Sequence, residues 1–510
     1  MAANAGVPEE TAARSGQLGL TGRPTGSSHL PPLLAAGLVF LASGAVLVLE
    51  ILSVRLLAPY VGLTLETTTS IIGAVLAGIA VGAAIGGRVA DRVNSRWLLV
   101  GLLVLGGLLV LLIVPIIRAL GPSASEGGNA AAVGVTFATL VPVAAVLSGV
   151  TPTVARLQLR DLRASGSVVG GLSGWATAGA LVGTFAAGFL LVPLFPVGAT
   201  VLVIGIALVF VGLLLGAYLR LLRRGRIVAT TILALGAIAL TIAQHSPCVA
   251  ESAYHCIQIQ PDPLRPSAKY LLLDRGYNSD VDQSDPRYLG FLYEQWFAEA
   301  IDRIAAPPTP LTGVFVGGGA FTVPRWLDAT HPGSHATVLE VDSKLVEFDR
   351  EHLGLRTSPS LRAIVGDGRL TMRDRPTHSA DFIVGDAFSS RTVPWQLMTS
   401  EWLDEVKRVL KPGGLYMLNM IDDHPLALLR AEAATLLKAF ANVRLVTVAE
   451  DGAPAGGNEV LFASEGSLPP ARSSPTGEGT LFDRDAVVRL VAGAEPLRDD
   501  YAPVDQLETR

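Results

Sequence analysis

The sequence predicts a two-part chain: a helical membrane bundle joined to a smaller β module and an α/β unit built on a parallel sheet. Three observations predict it. Half of the 510 residues are hydrophobic and only 16% are charged, giving a mean hydropathy of +0.47. The apolar residues are concentrated between about Pro31 and His245, in segments broken by short Arg clusters. From Ser246 onward charge returns at ordinary density, and short apolar runs alternate with helix-like stretches. A soluble chain of this length would have the usual composition throughout.

Residues 1–30 are rich in Ala, Gly, Ser, Thr and Pro without periodicity and are expected to be a disordered tail. No signal peptide is expected ahead of the first apolar run, which is itself long enough to span. Seven segments then approach the roughly 20 apolar residues that a transmembrane helix needs. They centre on LVFLASGAVLVLEIL, TSIIGAVLAGIAVGAAIGG, LLVGLLVLGGLLVLLIVPII, VGVTFATLVPVAAVLSGV, GWATAGALVGTFAAGFLLV, TVLVIGIALVFVGLLLGAYL and VATTILALGAIALTIA. Gly78, Gly82 and Gly86 in the second segment, and Gly166, Gly170 and Gly174 before the fifth, recur every four residues. Small residues at that spacing let helix backbones approach closely. The first segment carries two ionisable residues. Arg55 is expected to snorkel to the interface, and Glu50, deeper, needs a partner or a wet cavity. The connection GGRVADRVNSR resembles a loop of major-facilitator transporters, but seven segments are too few for that fold.

Arg88, Arg92 and Arg96 follow segment two; Arg156, Arg160 and Arg163 follow segment four; Arg220, Arg223, Arg224 and Arg226 follow segment six. The other loops are nearly free of Lys and Arg, Arg118 excepted. The positive-inside rule therefore places these loops in the cytoplasm and the C-terminal half outside a cell (inner) membrane. The two cysteines, Cys248 and Cys256, follow segment seven, where an extracytoplasmic disulfide is permitted.

In the soluble half, residues 252–290 show short alternating runs separated by Pro and Asp, which predicts a small β-hairpin module. A helix is expected at about 288–304. Then LTGVFV, ATVLEVD, LRAIVGD and ADFIVGD alternate with helices, followed by the helix SEWLDEVKRVL, the turn KPGG and the strand LYMLNMI. That alternation predicts a parallel sheet covered on both faces, closed by NVRLVTVAE and EVLFAS. The expected boundaries are 31–246, 247–300, 301–466 and a C-terminal segment, 467–510.

The chemistry is expected where parallel strands end. Strand one ends in Gly317-Gly318-Gly319, and only Gly lets backbone N–H groups crowd against a ligand. Strand two ends in Glu340-Val341-Asp342, about twenty residues on, where an acid meets ribose hydroxyls in a Rossmann-like unit. Strand three ends in Gly366-Asp367-Gly368 and strand four in Asp386-Ala387-Phe388. Four polar strand ends in order predict a nucleotide-like cofactor. No His/Cys cluster has metal-ligand spacing, so no metal is expected. A net charge of −5, with no basic stripe, predicts no nucleic-acid partner.

The pieces ESAYHCIQI, LLLDRGYNS, LYEQW, FVGGGA, VLEVD, VGDGR, DFIVGDAF and LKPGG, with DDYAP near the C-terminus, resemble the spermidine synthase family of polyamine aminopropyltransferases, in its membrane-fused bacterial branch. The resemblance covers roughly residues 252–465. It implies a small β-domain and a methyltransferase-type Rossmann domain acting in polyamine biosynthesis. The implied transferase moves an aminopropyl group from decarboxylated S-adenosylmethionine to a small-molecule amine. It also implies that Glu340 holds the ribose, Asp367 the adenine, and that Asp386 is the catalytic base. Gly317, Gly318, Gly319, Asp342, Gly368 and Asn278 would line the cofactor site. Tyr293, Asp500 and Tyr501 would meet the substrate, and a homodimer is compatible. Two family acids are replaced: the one after the glycines is Ala320, and the second of an Asp-x-x-Asp motif falls near Ser389. An S-adenosylmethionine-dependent methyltransferase, or a non-catalytic polyamine- or nucleoside-binding domain coupled to the bundle, are the alternatives.

Overall fold

The computed structural model describes residues 30–62, 65–126, 128–159, 165–388, 393–468 and 479–508. The expected tail up to residue 29, Arg160, Arg163 and Ser389 lie outside the described residues.

Seven helical spans among the described residues are long and apolar enough to cross a bilayer. They are built from α1 (Pro32–Val61), α2 (Leu65–Arg92), α3 (Ser95–Glu126), α4 (Gly128–Ser148) with α5 (Val150–Gln158), α6 (Ser165–Ala186) with a π turn (Ala187–Leu191) and α7 (Val192–Leu194), α8 (Val197–Tyr218), and α9 (Arg224–Ala243). Bulky apolar side chains such as Phe189, Phe210, Ile232 and Ile242 remain exposed on the outside of the bundle. Unpaired apolar surface of that extent suits lipid rather than water.

The main helix pairs are α2 with α4, α3 with α8, and α1 with α6. Gly78, Gly82 and Gly86 are the contact row of the first pair. A Cβ at Gly82 would lie 2.1 Å from the Ala145 carbonyl oxygen, and one at Gly86 2.7 Å from Gly149 Cα. The second expected row is different. Gly166, Gly170 and Gly174 have no atom within 4 Å of an added Cβ. The close approach of α1 and α6 instead uses Gly44, Gly179 and Gly183, where added Cβ atoms would meet carbonyl oxygens at 2.9, 2.2 and 2.6 Å. Four-residue spacing identifies a stripe of small residues but not the stripe that faces a neighbour.

Arg88, Arg92, Arg156, Arg220 and Arg224 lie at the helix ends on one side of the bundle. The soluble half joins the other. There Val197 N–H, opening α8, donates to Glu251 Oε2 (2.6 Å), and Arg118 donates to the Thr241 and Gln244 carbonyls (both 2.9 Å). Cys248 and Cys256 form a disulfide at this junction.

The small module is a four-stranded antiparallel sheet, larger than the expected hairpin: β1 (Ala250–Glu251), β2 (Cys256–Pro261), β3 (Ala268–Leu273) and β4 (Gly276–Asp282) in sequential order. Next, α10 (Leu292–Ile304) starts four residues after the expected point, because Gly290 and Phe291 make the turn and Glu294 Oε2 accepts Phe291 N–H (3.3 Å).

The large sheet contains β5 (Thr312–Val316), β6 (His335–Glu340), β7 (Leu361–Val365), β8 (Ala380–Gly385), β9 (Leu410–Asp422), β10 (Asn442–Glu450), β11 (Ala453–Ser464) and β12 (Thr480–Phe482). Between these strands run α11 (Thr322–Thr330), α12 (Ser343–His352), α13 (Gly368–Arg373), α14 (Ser400–Val409) and α15 (Ala427–Ala439); α16 (Arg484–Leu490) and α17 (Val504–Glu508) follow. Strand order is β12-β10-β11-β9-β8-β5-β6-β7, parallel from β9 to β7 and antiparallel at the other edge. This is a methyltransferase-type Rossmann-like sheet. The expected turn Lys411–Gly414 lies within β9 at a register irregularity beside β8. The edge strand β12 gave no periodic signal because it is only three residues long.

Alternate residues of β5 enter opposite cores, as a strand's two-residue period requires. Phe315 packs with Trp296 and Phe297 of α10 and Trp326 of α11; Val314 and Val316 pack with Trp402 of α14 and Leu428 of α15. With both faces covered, the free edge for chemistry is the carboxyl end of the strands. The order reverses at β5, whose neighbours are β6 and β8, so a crevice opens there.

Candidate active site

The glycine loop begins this crevice. Gly317 has φ +99° and Gly319 φ +48°, both in the left-handed region. A Cβ on Gly317 would sit 2.3 Å from the Asp386 carbonyl oxygen, and one on Gly319 2.2 Å from Ser279 Oγ and 2.9 Å from Asn278 Oδ1. The loop is thus wedged between the end of β8 and strand β4 of the small module. Three of its amides have partners inside the protein. Gly317 N–H donates to the Leu339 carbonyl (2.9 Å), Gly318 N–H to Glu340 Oε2 (2.7 Å) and Ala320 N–H to Ser279 Oγ (3.2 Å). The triplet therefore serves first for close approach between elements.

Glu340 is nearly buried at the end of β6. Its second oxygen accepts Asp342 N–H at 2.8 Å. Burial holds its carboxyl above the usual range while these two amides oppose the shift. Each oxygen keeps a second lone pair, so the group can still accept from hydroxyls. Asp342 is engaged differently. It caps α12 through Lys344 and Leu345 N–H, and its Oδ2 accepts Ser252 Oγ at 2.5 Å. It caps the helix and ties the Ser252 turn to the site. Asp367 caps α13 through Leu370 N–H (2.9 Å), and Gly368 packs its backbone 2.8 Å, at an added Cβ, from Val316.

Asp386 stands across the crevice. Its Oδ1 accepts Asn419 Nδ2–H of β9 (2.9 Å), and the Tyr293 hydroxyl of α10 lies between Asp386 and the Asn278 carbonyl oxygen (3.2 Å). Burial raises the Asp386 pKa to about 7, with both hydrogen bonds pulling the other way. Asn419 Oδ1 is buried and has no partner. A ligand donor would satisfy it, and buried polar atoms are seldom left unpaired.

Two further acids lie beside Tyr293. Glu294 of α10 and Asp280 of β4 are each 1% exposed, and burial, followed by the nearby Asp280 carboxylate, holds the Glu294 carboxyl well above its usual range. A like charge nearby disfavours ionisation, so Glu294 is the carboxyl of the two that stays protonated. Both act electrostatically on Tyr293, and Asp386 acts on Glu294.

The structure therefore brings Gly317, Gly318, Gly319, Glu340, Asn278, Tyr293 and Asp386 together, with Asp342 behind them and Asp367 at the neighbouring strand end. Asp500 and Tyr501 do not join them. Both are exposed, Asp500 beside Arg498 (3.4 Å) and Tyr501 bridged to the same residue. Their neighbour Asp499 docks the segment instead, on Arg369 (2.6 Å) and Thr399 (2.7 Å). Ala320 is fully buried, packed with Ile257, Leu271 and Leu345, so its position does not face the crevice. Sequence reasoning missed Asn419, Asp280, Glu294 and Ser279. Asn419 had a signal: it is the one polar residue in the core-strand run LYMLNMI.

These residues fit an adenosyl-sulfonium ligand: an acceptor at the ribose position, a glycine cradle that a side chain would fill, and an orphaned amide oxygen beside the acid. Among the described residues, no group of three His, Cys, Asp or Glu is placed to hold a metal.

No family model matches the chain. It is 27% identical over 164 residues to a polyamine aminopropyltransferase of Vibrio vulnificus, covering 32% of this chain and 53% of that protein. It is 27% identical over 254 residues to a probable polyamine aminopropyl transferase of Bifidobacterium longum, covering 44% and 54%. A probable spermidine synthase of Corynebacterium glutamicum superposes with a TM-score of 0.45 at 24% identity, over 49% of this chain and 95% of that one. The chain spans about half the length of the curated relatives it matches. Its soluble half is similar to the polyamine aminopropyltransferases.

Proposed function

We propose that the chain is a membrane-anchored, spermidine synthase-like aminopropyltransferase, with decarboxylated S-adenosylmethionine as co-substrate and a small amine as acceptor. The observation that carries this reading is Asp386: a carboxyl at the switch point, beside the glycine loop, with its pKa raised to about 7. An ammonium has no lone pair and cannot attack carbon until a base takes its proton. The bound donor supplies a sulfonium-activated aminopropyl carbon. Asp386 first takes a proton from the ammonium; the freed amine nitrogen then bonds to that carbon as the carbon–sulfur bond breaks, leaving a neutral thioether. Asn419 and Tyr293 fix the carboxylate, and Glu340 holds the ribose hydroxyls. Orientation of this kind supplies much of the rate.

The carboxylates of Glu340 and Asp386, when ionised, favour a cationic donor over one bearing an extra carboxylate, which argues against the S-adenosylmethionine-dependent methyltransferase. The proposed units are the bundle 31–246, the module 247–300, the Rossmann-like domain 301–466 and the segment 467–510. The soluble half joins the bundle at the end away from the Arg clusters and carries a disulfide, which supports an extracytoplasmic location.

The test is product formation by the full-length protein in detergent, from decarboxylated S-adenosylmethionine and a panel of mono- and diamines. Amine-dependent release of methylthioadenosine is expected. Failure with every amine would overturn the enzymatic reading.

A further inference from the structure

Arg55 is the feature of the membrane half that its packing alone does not explain. It lies near the end of α1, inside a span that otherwise carries Glu50 as its only other charged residue. It does not simply reach for the bilayer interface. Its guanidinium crosses to the soluble half, where Nη1 donates to the Tyr254 carbonyl and Nη2 to the Ser252 carbonyl (3.3 Å). Among the described residues, these are its partners across some two hundred positions of sequence, and they belong to one turn.

That turn is tightly made. Ser252 Oγ accepts Tyr254 N–H (3.0 Å) and His255 N–H (2.8 Å), and Ser252 N–H donates to the His255 carbonyl (2.9 Å). His255 Nδ1 meets Asp274 Oδ2 at 2.9 Å, and Asp274 Oδ1 accepts Cys256 N–H at 2.9 Å. The disulfide from Cys256 to Cys248 closes the other side.

The turn faces the crevice. The Ser252 hydroxyl donates to Asp342 Oδ2, Asp342 N–H donates to Glu340 Oε1, and Glu340 Oε2 accepts Gly318 N–H. Four hydrogen bonds thus connect the first membrane helix to the glycine loop. The Tyr254 ring is more than a third exposed. Its hydroxyl is held above the usual range by burial and then by the carboxylates of Asp342, Asp367 and Glu340.

We propose that Arg55 is a positioning residue for the nucleoside end of the site, acting through the Ser252–His255 turn. The role rests on the nucleoside-binding reading given above. Its consequence is that the bundle does more than tether: it sets the affinity of a site that lies outside it. By linkage, an occupied site in turn tightens the grip of α1 on the turn.

The test uses the full-length protein in detergent with methylthioadenosine as the probe. Variants are Arg55→Met, Arg55→Lys, Ser252→Ala and the double Arg55→Met/Ser252→Ala, each first checked for an unchanged thermal transition. Affinity is expected to fall about 3- to 30-fold for Arg55→Met, the range typical of residues that couple sites through packed networks. Arg55→Lys should recover part of the loss, since an ammonium can still reach one carbonyl. The double variant should lose little more than the worse single, because both act through one chain of bonds. In turnover, KM for the donor should rise while kcat at saturation stays near the wild-type value. Amide exchange across residues 252–256 should quicken in Arg55→Met even without ligand, which reports the grip independently of function and of either single variant's affinity. Wild-type affinity and unchanged exchange in Arg55→Met would overturn the positioning role alone. Absence of nucleoside binding by the wild type would overturn the functional reading and the role with it.

Discussion

Replacing Asp386 by Asn removes the proposed base and little else. The amide is the same size, and its oxygen can still accept from Asn419, so the crevice should hold its shape. The structure sets the size of the effect. A primary ammonium has a pKa near that of Lys, about 10.4, and an aqueous Asp carboxylate about 3.9, so proton transfer between them is uphill by about 9 kcal/mol. With Asp386 raised to about 7, the gap narrows to about 3.4 units, or about 4.6 kcal/mol. Burial thus removes about 4 kcal/mol from an unfavourable step while the carboxyl still ionises near neutrality. Without it the amine must lose its proton to water, and kcat should fall roughly 10²- to 10⁴-fold with donor affinity little changed. The pH profile supplies a second readout. Asp386 accepts a proton only when ionised, so kcat/KM should fall as pH drops through about 7, and Asp386→Asn should lose that limb. Stability supplies a third. Asp386 in the folded protein binds its proton more tightly than in the unfolded chain, so stability declines as pH rises from about 4 through about 7. Its ceiling is about 4 kcal/mol, and Asp386→Asn should be the more stable protein at pH 8. Rates within about threefold of wild type, with the acid limb intact, would refute the assignment.

Glu340→Ala removes an acceptor worth about 1.5–3 kcal/mol to a bound hydroxyl, so methylthioadenosine affinity measured calorimetrically should fall roughly ten- to a hundredfold. Unchanged affinity would displace the ribose from this position. Gly82→Ala forces a methyl against the Ala145 carbonyl 2.1 Å away and should cost about 1–3 kcal/mol in detergent unfolding. Gly170→Ala meets open space and should be neutral or slightly stabilising. Cysteine introduced by Ser467→Cys, at an exposed position, should react with an impermeant maleimide on intact cells; reaction only after lysis would reverse the proposed topology.

Regular features were readable from the sequence because they repeat. The seven spans, the alternation of strands and helices, and the polar residues at four strand ends are all periodic or positional signals, and the sheet assembled from them has its order reversal where the glycine triplet ends β5. Less was visible where function depends on residues from distant elements. Asp280 and Glu294 are each unremarkable in their own segments, and only the packing of α10 over β4 joins them. Arg55 read as an interfacial anchor because its partners are backbone carbonyls, which leave no trace in side-chain patterns. The same limit applies to the glycines of α6: spacing marks a stripe, and only the neighbouring helix decides which stripe is used. Ala320 illustrates the converse. It reads as the loss of an acid, yet the position is fully buried against the small module.

The central claim is that the crevice is built for a decarboxylated sulfonium nucleoside. Calorimetric binding of decarboxylated S-adenosylmethionine and S-adenosylmethionine to the full-length protein tests it most directly. A carboxylate about 8 Å from one ionised acid is repelled by about 2 kcal/mol at an effective dielectric of 20. The decarboxylated form should therefore bind roughly thirtyfold more tightly, and the preference should shrink as pH falls and the acids are neutralised. Equal affinity, or tighter binding of S-adenosylmethionine, would contradict the account.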